Sequence, residues 1–309
     1  MTESALAAAL VGRFRGQRPL RGGSLIVTVF GDALAPRGGA ISLSSLIALM
    51  RPLGLGERLV RTSVARLAAE DWLESRRRGR LSEYRLAEPG RERFAEATRR
   101  IYAGPATDWN GHWTLLLTSG VDAAGRARMR RLLELQGFGE PEPGLFAHPM
   151  IGARRTREYL AMHGLEEAPI LLEARAAAQD ARRLLAAGWD LRDLAARYRR
   201  FVGRYRSVAL QLERGSAGDP GDAFAIRTLL IHEYRRIHLR DPLLPRQLLP
   251  TDWPGFTAYE LCRRIYARVA PHAERHLTAV ATTLDGPLPP ADRTVRGRFP
   301  RLRRRHSVA

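Results

Sequence analysis

The sequence contains no lysine, so all 51 of its basic residues are arginine. A P-loop lysine, a lysine Schiff base to pyridoxal phosphate and a kinase-type phosphate lysine are excluded with it. Cysteine is almost as scarce. Cys262 stands alone, which rules out an internal disulfide, and its place in a helical pattern beside Leu261 and Ile265 predicts a buried, inert thiol. Long apolar runs are missing too: residues 25–30, broken by Thr28, are typical of the runs present, far short of the roughly 20 residues of a membrane span. Glu3 and the lack of basic residues before the apolar stretch 5–11 give no sign of a secretory leader. A cytoplasmic location is the expectation.

What is present is a chain of 309 residues, 45% hydrophobic, with a formal net charge of +19. The length predicts two or three domains. The charge favours a polyanionic partner such as nucleic acid or a phosphate-rich ligand. Arginine in place of every lysine, with much Ala, Gly and Pro, also points to a biased genome, but the sign of the charge stands.

Residues 42–86 are the most informative stretch. Leu43, Leu46, Ile47 and Met50 recur at helical spacing behind Ser42, an N-cap candidate, and Pro52 and Gly54 stop the pattern. A second helix over about 56–70 places Val60, Val64, Leu67 and Ala68 on one stripe, with Arg58, Arg61, Thr62 and Ala65 opposite. Two half-buried strands follow, 72–76 and 82–86, joined by Arg77, Arg78, Gly79 and Arg80. Helix, tight turn, helix and basic hairpin is the order of a winged helix-turn-helix. Between Gly54 and Leu86 eight Arg stand against five acids. The expected DNA-binding residues are Arg58, Arg61, Thr62, Ser63 and Arg66 on the second helix, and Arg77, Arg78, Arg80 and Tyr84 on the wing. The competing reading is a helical hairpin beside a surface β-hairpin whose charges are only solvated.

The expected fold class is α+β in three parts. A flexible basic arm over 1–23 precedes a winged helix-turn-helix domain over 24–103, which starts with a helix at 24–33 and closes with a linking helix at 89–103. A small α/β domain over 104–176 follows, with strands at 113–117, 145–147 and 170–173 and helices at 125–136 and 154–163; its βαβαβ order suggests a ferredoxin-like domain. Residues 177–285 read as an all-helical effector domain whose stripes include Tyr198, Phe201, Tyr205 and Leu212. Residues 286–309 read as a disordered basic tail, since 292–309 hold seven Arg and one acid.

Catalytic signatures are weak. Gly137-Phe138-Gly139 with Gly144 has the wrong spacing for a dinucleotide fingerprint, and His232-Glu233 begins a zinc-protease motif that Arg236 breaks. No catalytic set, metal or cofactor is expected. His232, Tyr234, Arg235, Arg236, Arg240 and Trp253 form the densest remaining cluster. It reads either as an ion-pair network fastening a helix or as a pocket whose guanidiniums grip a phosphorylated ligand.

The chain resembles the PaaX family of phenylacetate-pathway repressors from about Ser24 to about Leu277. The resemblance is carried by Phe30-Gly31-Asp32 with Arg37-Gly38-Gly39, by Gly56-Glu57-Arg58-Leu59-Val60-Arg61-Thr62 and by Gln136-Gly137-Phe138-Gly139. Further on it is carried by 229–236, by Asp241-Pro242-Leu243-Leu244-Pro245 and by 248–253. It implies a GntR-like winged domain and a homodimeric repressor on palindromic double-stranded operator DNA. It also implies release by the effector phenylacetyl-CoA, and the phosphates of coenzyme A give a reason to expect the cluster at His232 as the effector-binding residues. Alternatives are a regulator of another aryl-CoA thioester, an acyl-CoA enzyme using His232 or His238 as general base, and a nonspecific architectural DNA binder.

Overall fold

The structure, a computed structural model of the chain, describes residues 2–20, 22–105, 109–165, 169–215 and 218–300. These fall into two units that are each discontinuous in sequence. One draws on Met1–Ala103, Phe201–His238 and Ala258–Ala309, the other on Gly104–Arg200 and Leu239–Thr257.

The first unit opens with α1 (Glu3–Arg15), capped by Thr2, whose Leu6, Ala7, Leu10 and Phe14 are buried. The expected loose arm is thus a helix with an apolar face in the core. Next comes α2 (Gly22–Val29), which runs on through a π-helical turn at Phe30–Leu34. β1 (Ala40–Ser42) and α3 (Leu43–Met50) follow, with Ser42 Oγ accepting from Ser45 N at 3.2 Å as the N-cap. A turn through Gly54, at φ 80°, leads into α4 (Glu57–Ala69). β2 (Leu73–Arg78) and β3 (Leu81–Leu86) then pair antiparallel, and β1 joins the free edge of β3 to give the order β1-β3-β2. The hairpin tip is only Gly79 and Arg80, because pairing extends to Arg78–Leu81 and makes Arg77 and Arg78 strand residues rather than loop residues. α5 (Glu88–Tyr102) is the expected linking helix.

The second unit runs β4 (His112–Leu117), α6 (Ala123–Gln136), β5 (Gly139–Glu142), β6 (Leu145–His148), α7 (Ala153–Ala161) and β7 (Ile170–Arg175). The sheet is antiparallel in the order β5-β6-β4-β7, so the expected βαβαβ order gains a strand, β5. Alternation along β4 sends Leu116 to a cluster with Met129, Leu133 and Phe146, and Trp113 to the other face with Ala147, Ala181 and Leu185. α8 (Ala178–Gly188) covers that second face together with Leu244 and Leu248. The Gln136–Gly139 motif has a local cause. Gly137 ends α6 at φ 91°, and a Cβ on Gly139 would lie 2.6 Å from the Gly188 carbonyl.

The long helix α9 (Leu191–Arg214) is followed in the first unit by α10 (Pro220–His238), buried along Ala223–His232. α11 (Pro254–Val280) and the short strands β8 (Thr282–Thr283) and β9 (Gly286–Pro287) complete the elements. The segment expected as a disordered tail is ordered as far as Pro300, and Phe299 is its anchor. Phe299 holds φ at 51°, unusual for a bulky residue, and its ring meets those of Tyr102, Tyr234, Tyr259 and Tyr266. The remainder of that expected tail, 301–309, lies outside the described residues.

A buried ion cluster ties these pieces together. Asp32 accepts from Arg227 Nε at 2.6 Å, Arg298 Nη1 at 2.9 Å and Tyr266 Oη at 3.1 Å, and also from the Tyr102 hydroxyl. Its own carbonyl accepts from Arg227 and Arg298. Glu274 pairs with Arg227 and Arg37. Burial alone would raise the Asp32 carboxyl, but the two guanidiniums outweigh it and hold it below the usual carboxylate range. Asp32 and Arg37, two of the family-like motif residues, are therefore core electrostatics.

Candidate nucleic-acid interface and ligand cavities

On α4 the structure buries Val60, Ser63, Val64 and Leu67. Ser63, at 8% exposure, is on the core side and is corrected from the expected contact set. Arg58, Arg61, Thr62 and Arg66 face outward. Thr62 donates its hydroxyl back to the Arg58 and Leu59 carbonyls, at 3.0 and 3.1 Å. Arg61 pairs with Glu57 at 2.7 Å and Arg66 with Glu70 at 3.4 Å, both one helical turn apart on the surface. Such pairs are worth only about 0.3–0.5 kcal/mol, so breaking them costs little.

The hairpin divides its arginines by strand alternation. Arg76 and Arg78 share a face with Glu83 and engage the β8–β9 turn: Arg78 donates to the Leu284 carbonyl at 2.7 Å and to Asp285 at 2.5 Å, and Arg76 to Asp285 at 3.0 Å. Glu83, buried, accepts from Leu284 N at 2.7 Å. Arg77 lies on the opposite face, opposite Ser82, while Tyr84 pairs with Ser75 and Ile41. Among the described residues no ion pair engages Arg58, Arg77 or Arg80.

A groove of about 320 Å³ opens between α3, the start of α4 and the hairpin tip, and Arg51, Arg61 and Arg80 line it with Ser44. The structure therefore brings one predicted helix residue and one predicted wing residue to a single surface. Arg51 was missed, because in the sequence it stands beside Pro52 and reads as part of a helix stop.

The expected effector cluster is divided between the two units. In the first, His232 and Tyr234 are fully buried. His232 Nδ1 lies 3.1 Å from Thr28 Oγ1, and Tyr234 Oη lies 3.2 Å from His238 Nδ1. Arg235 donates to Thr28 Oγ1 at 2.8 Å and to Ser24 O at 2.7 Å, and burial pushes its guanidinium down to about 10. Arg236 is half-buried on the same helix. This arrangement is the helix-fastening network. His238 Nε2 lies 3.0 Å from the Arg100 carbonyl. In the second unit Arg240 is exposed and Trp253 stands edge-on to Tyr198.

Two larger cavities were not anticipated. One, about 1160 Å³ in the second unit, is lined by Arg182, Arg192, Arg199, Trp189 and Trp253. The other, about 910 Å³ in the first unit, lies among the 31–39 segment, α5 and the 292–300 segment, with Phe94, Thr98, Tyr102, Arg91, Arg99 and Arg298 in its wall. Cys262 is buried in a medium that pushes its thiol well up. No group of three or more His, Cys, Asp and Glu among the described residues is placed to hold a metal, and no described helix is long and apolar enough to cross a membrane.

Residues 21–90 match the family model "PaaX-like protein", and residues 189–279 match "PaaX-like protein C-terminal domain". Transcriptional repressor PaaX of Escherichia coli (strain K12) is 41% identical over 276 residues, spanning 88% of this chain and 87% of the relative. The chain belongs to the PaaX family of transcriptional repressors. Among solved structures, Uncharacterized protein Rv0674 from Mycobacterium tuberculosis aligns with 74% of this PaaX-family chain and 90% of its own, at 24% identity and TM-score 0.48. The first family match begins at α2 and ends within α5, so it takes in the whole helix-helix-hairpin region, and the second takes in α9 and α10.

Proposed function

We propose that this protein represses genes of phenylacetate catabolism by binding a palindromic operator as a homodimer in the cytoplasm, and that phenylacetyl-CoA releases it. α3, the Gly54 turn, α4 and the β2–β3 hairpin act as a GntR-like winged helix-turn-helix. The sheet order and the β-α-β-β-α-β sequence of the second unit support a ferredoxin-like reading of that part. The observation that carries the DNA-binding reading is the groove where Arg51, Arg61 and Arg80 converge beside the exposed face of α4. Arg58 and Arg61 read base edges in the major groove, Thr62 and Arg66 fix α4 to the backbone, and Arg77 and Arg80 hold phosphate at the wing.

Release requires only that the effector prefer the DNA-incompetent state. A hundredfold loss of operator affinity corresponds to about 2.7 kcal/mol of coupling. Fluorescence-anisotropy titration tests this, using DNA from upstream of the protein's own gene and of neighbouring catabolic genes, with random DNA as control. The expected result is tight specific binding that phenylacetyl-CoA abolishes and phenylacetate leaves intact. Equal affinity for random DNA would refute the operator reading, and loss with a different aryl-CoA thioester alone would reassign the ligand.

A further inference from the structure

The buried ion cluster is incomplete on one side. Three guanidiniums, Arg37, Arg227 and Arg298, face two carboxylates, Asp32 and Glu274, so the cluster carries one uncompensated positive charge. Arg298 engages its partners through Nη1 alone; its Nε and Nη2 are buried and meet no acceptor among the described residues. A buried guanidinium edge without acceptors is costly and calls for an oxygen. Arg298 also lines the cavity of about 910 Å³, stacked at 4.3 Å on the Tyr102 ring. That volume lies within the usual range of about 300–1,000 Å³ for small-molecule sites.

The rest of the wall fits an amphiphilic ligand. Leu86, Phe94 and Pro36 supply apolar surface, while Arg91 and Arg99, on the exposed side of α5, supply cations. Arg91 is held only by a 3.3 Å contact to the exposed Glu88, and no described residue pairs with Arg99. Three parts of the DNA-binding region meet here: the 31–39 segment leads directly into β1, Leu86 closes β3, and α5 continues from it.

Resting on the ligand-released reading above, we propose that this cavity is the effector site. It takes an aryl-acyl group whose carbonyl oxygen accepts from Arg298, with the phosphorylated end of the thioester toward Arg91 and Arg99. Binding wedges α5 and the 292–300 segment against the strand-helix region they support, which is how occupancy reaches α4 and the hairpin.

The test uses the full chain, with operator anisotropy and calorimetry of phenylacetyl-CoA side by side. Thr98→Trp fills the cavity from α5, and Arg199→Ala alters the other large cavity. Wild type and Arg199→Ala are expected to bind the thioester and lose about a hundredfold in operator affinity. Thr98→Trp shows no heat with the thioester, and adding the thioester changes its operator affinity less than about threefold. A thioether analogue lacking the carbonyl oxygen binds wild type at least about tenfold more weakly than the thioester, a gap that Arg298→Met closes. Should Thr98→Trp respond like wild type, or Arg199→Ala lose the response, the cavity assignment is overturned and the ligand-released reading stands. Should wild type bind operator yet give no heat with the thioester, the ligand reading itself falls, and this assignment with it.

Discussion

Asp32 shows how a short motif acquires meaning only in three dimensions. Phe30-Gly31-Asp32 is visible in the sequence, but the partners of Asp32 lie 195 and 266 residues away, at Arg227 and Arg298. No local periodicity links positions so distant. Because Arg227 and Arg298 lower the folded-state value of Asp32 against the effect of burial, its stabilisation is fully present above the unfolded value of about 3.9 and is lost as pH falls through the folded value. Asp32→Ala should cost about 3–5 kcal/mol at pH 7, since it strands two buried guanidiniums. In urea titrations, wild type should lose stability as pH drops below about 4, and Asp32→Asn should lose less over that window. Parallel pH profiles for the two would refute the linkage. Phe299 makes the same point about the C-terminal segment, whose arginines hide one aromatic anchor. Phe299→Ala should cost about 3–5 kcal/mol in the same assay, as for other buried Phe truncations, less whatever the relaxed backbone returns. A cost under about 1 kcal/mol would mean that the segment is not held by this ring.

At the scale of elements, α3, α4 and the hairpin were legible because their signals are local: an N-cap at Ser42, a stripe on α4, a glycine at the tip. The exact register was not, since pairing to Arg78–Leu81 is set by Gly79 at φ 58° rather than by composition. Nor was the β8–β9 turn, two residues per strand, which places Asp285 between Arg76 and Arg78. On the proposed reading, Asp285 competes with DNA phosphate for these two cations. Asp285→Asn should therefore tighten binding to operator and random DNA alike, several-fold, and steepen the salt dependence by about one to two phosphate equivalents. Anisotropy between 50 and 200 mM salt, the range in which such slopes are resolved, checks this; an unchanged slope would mean that Arg76 and Arg78 do not reach phosphate. Arg61→Ala should behave differently, relaxing preference at one base position by about 1–3 kcal/mol. Arg77→Ala should weaken all sequences equally, and matching effects of the two substitutions on specific and random DNA would remove the division of roles.

For the whole molecule, the sequence suggested domains strung in order, because each stretch has its own period and boundary residues. Folding instead returns distant segments to the first unit. α10 is buried along Ala223–His232 and lies against α1, α2 and α5, with Arg235 on Ser24 and Thr28 and Arg227 on Asp32. What hid this is the pattern itself: a helix buried nearly all round has no polar face to mark its partners. The consequence is a clear expectation for fragments. Residues 1–103, which the sequence would offer as an independent DNA-binding domain, leave the apolar faces of α1 and α2 uncovered and Asp32 buried without its guanidiniums. That fragment should show helical far-ultraviolet signal without a cooperative urea transition or dispersed amide resonances. Adding residues 201–309 in trans should restore both in proportion to complex formed, because the missing core is supplied there. A cooperative transition in 1–103 alone would mean that the helix-helix-hairpin region holds its own core, and that α10 is a covering rather than part of the fold.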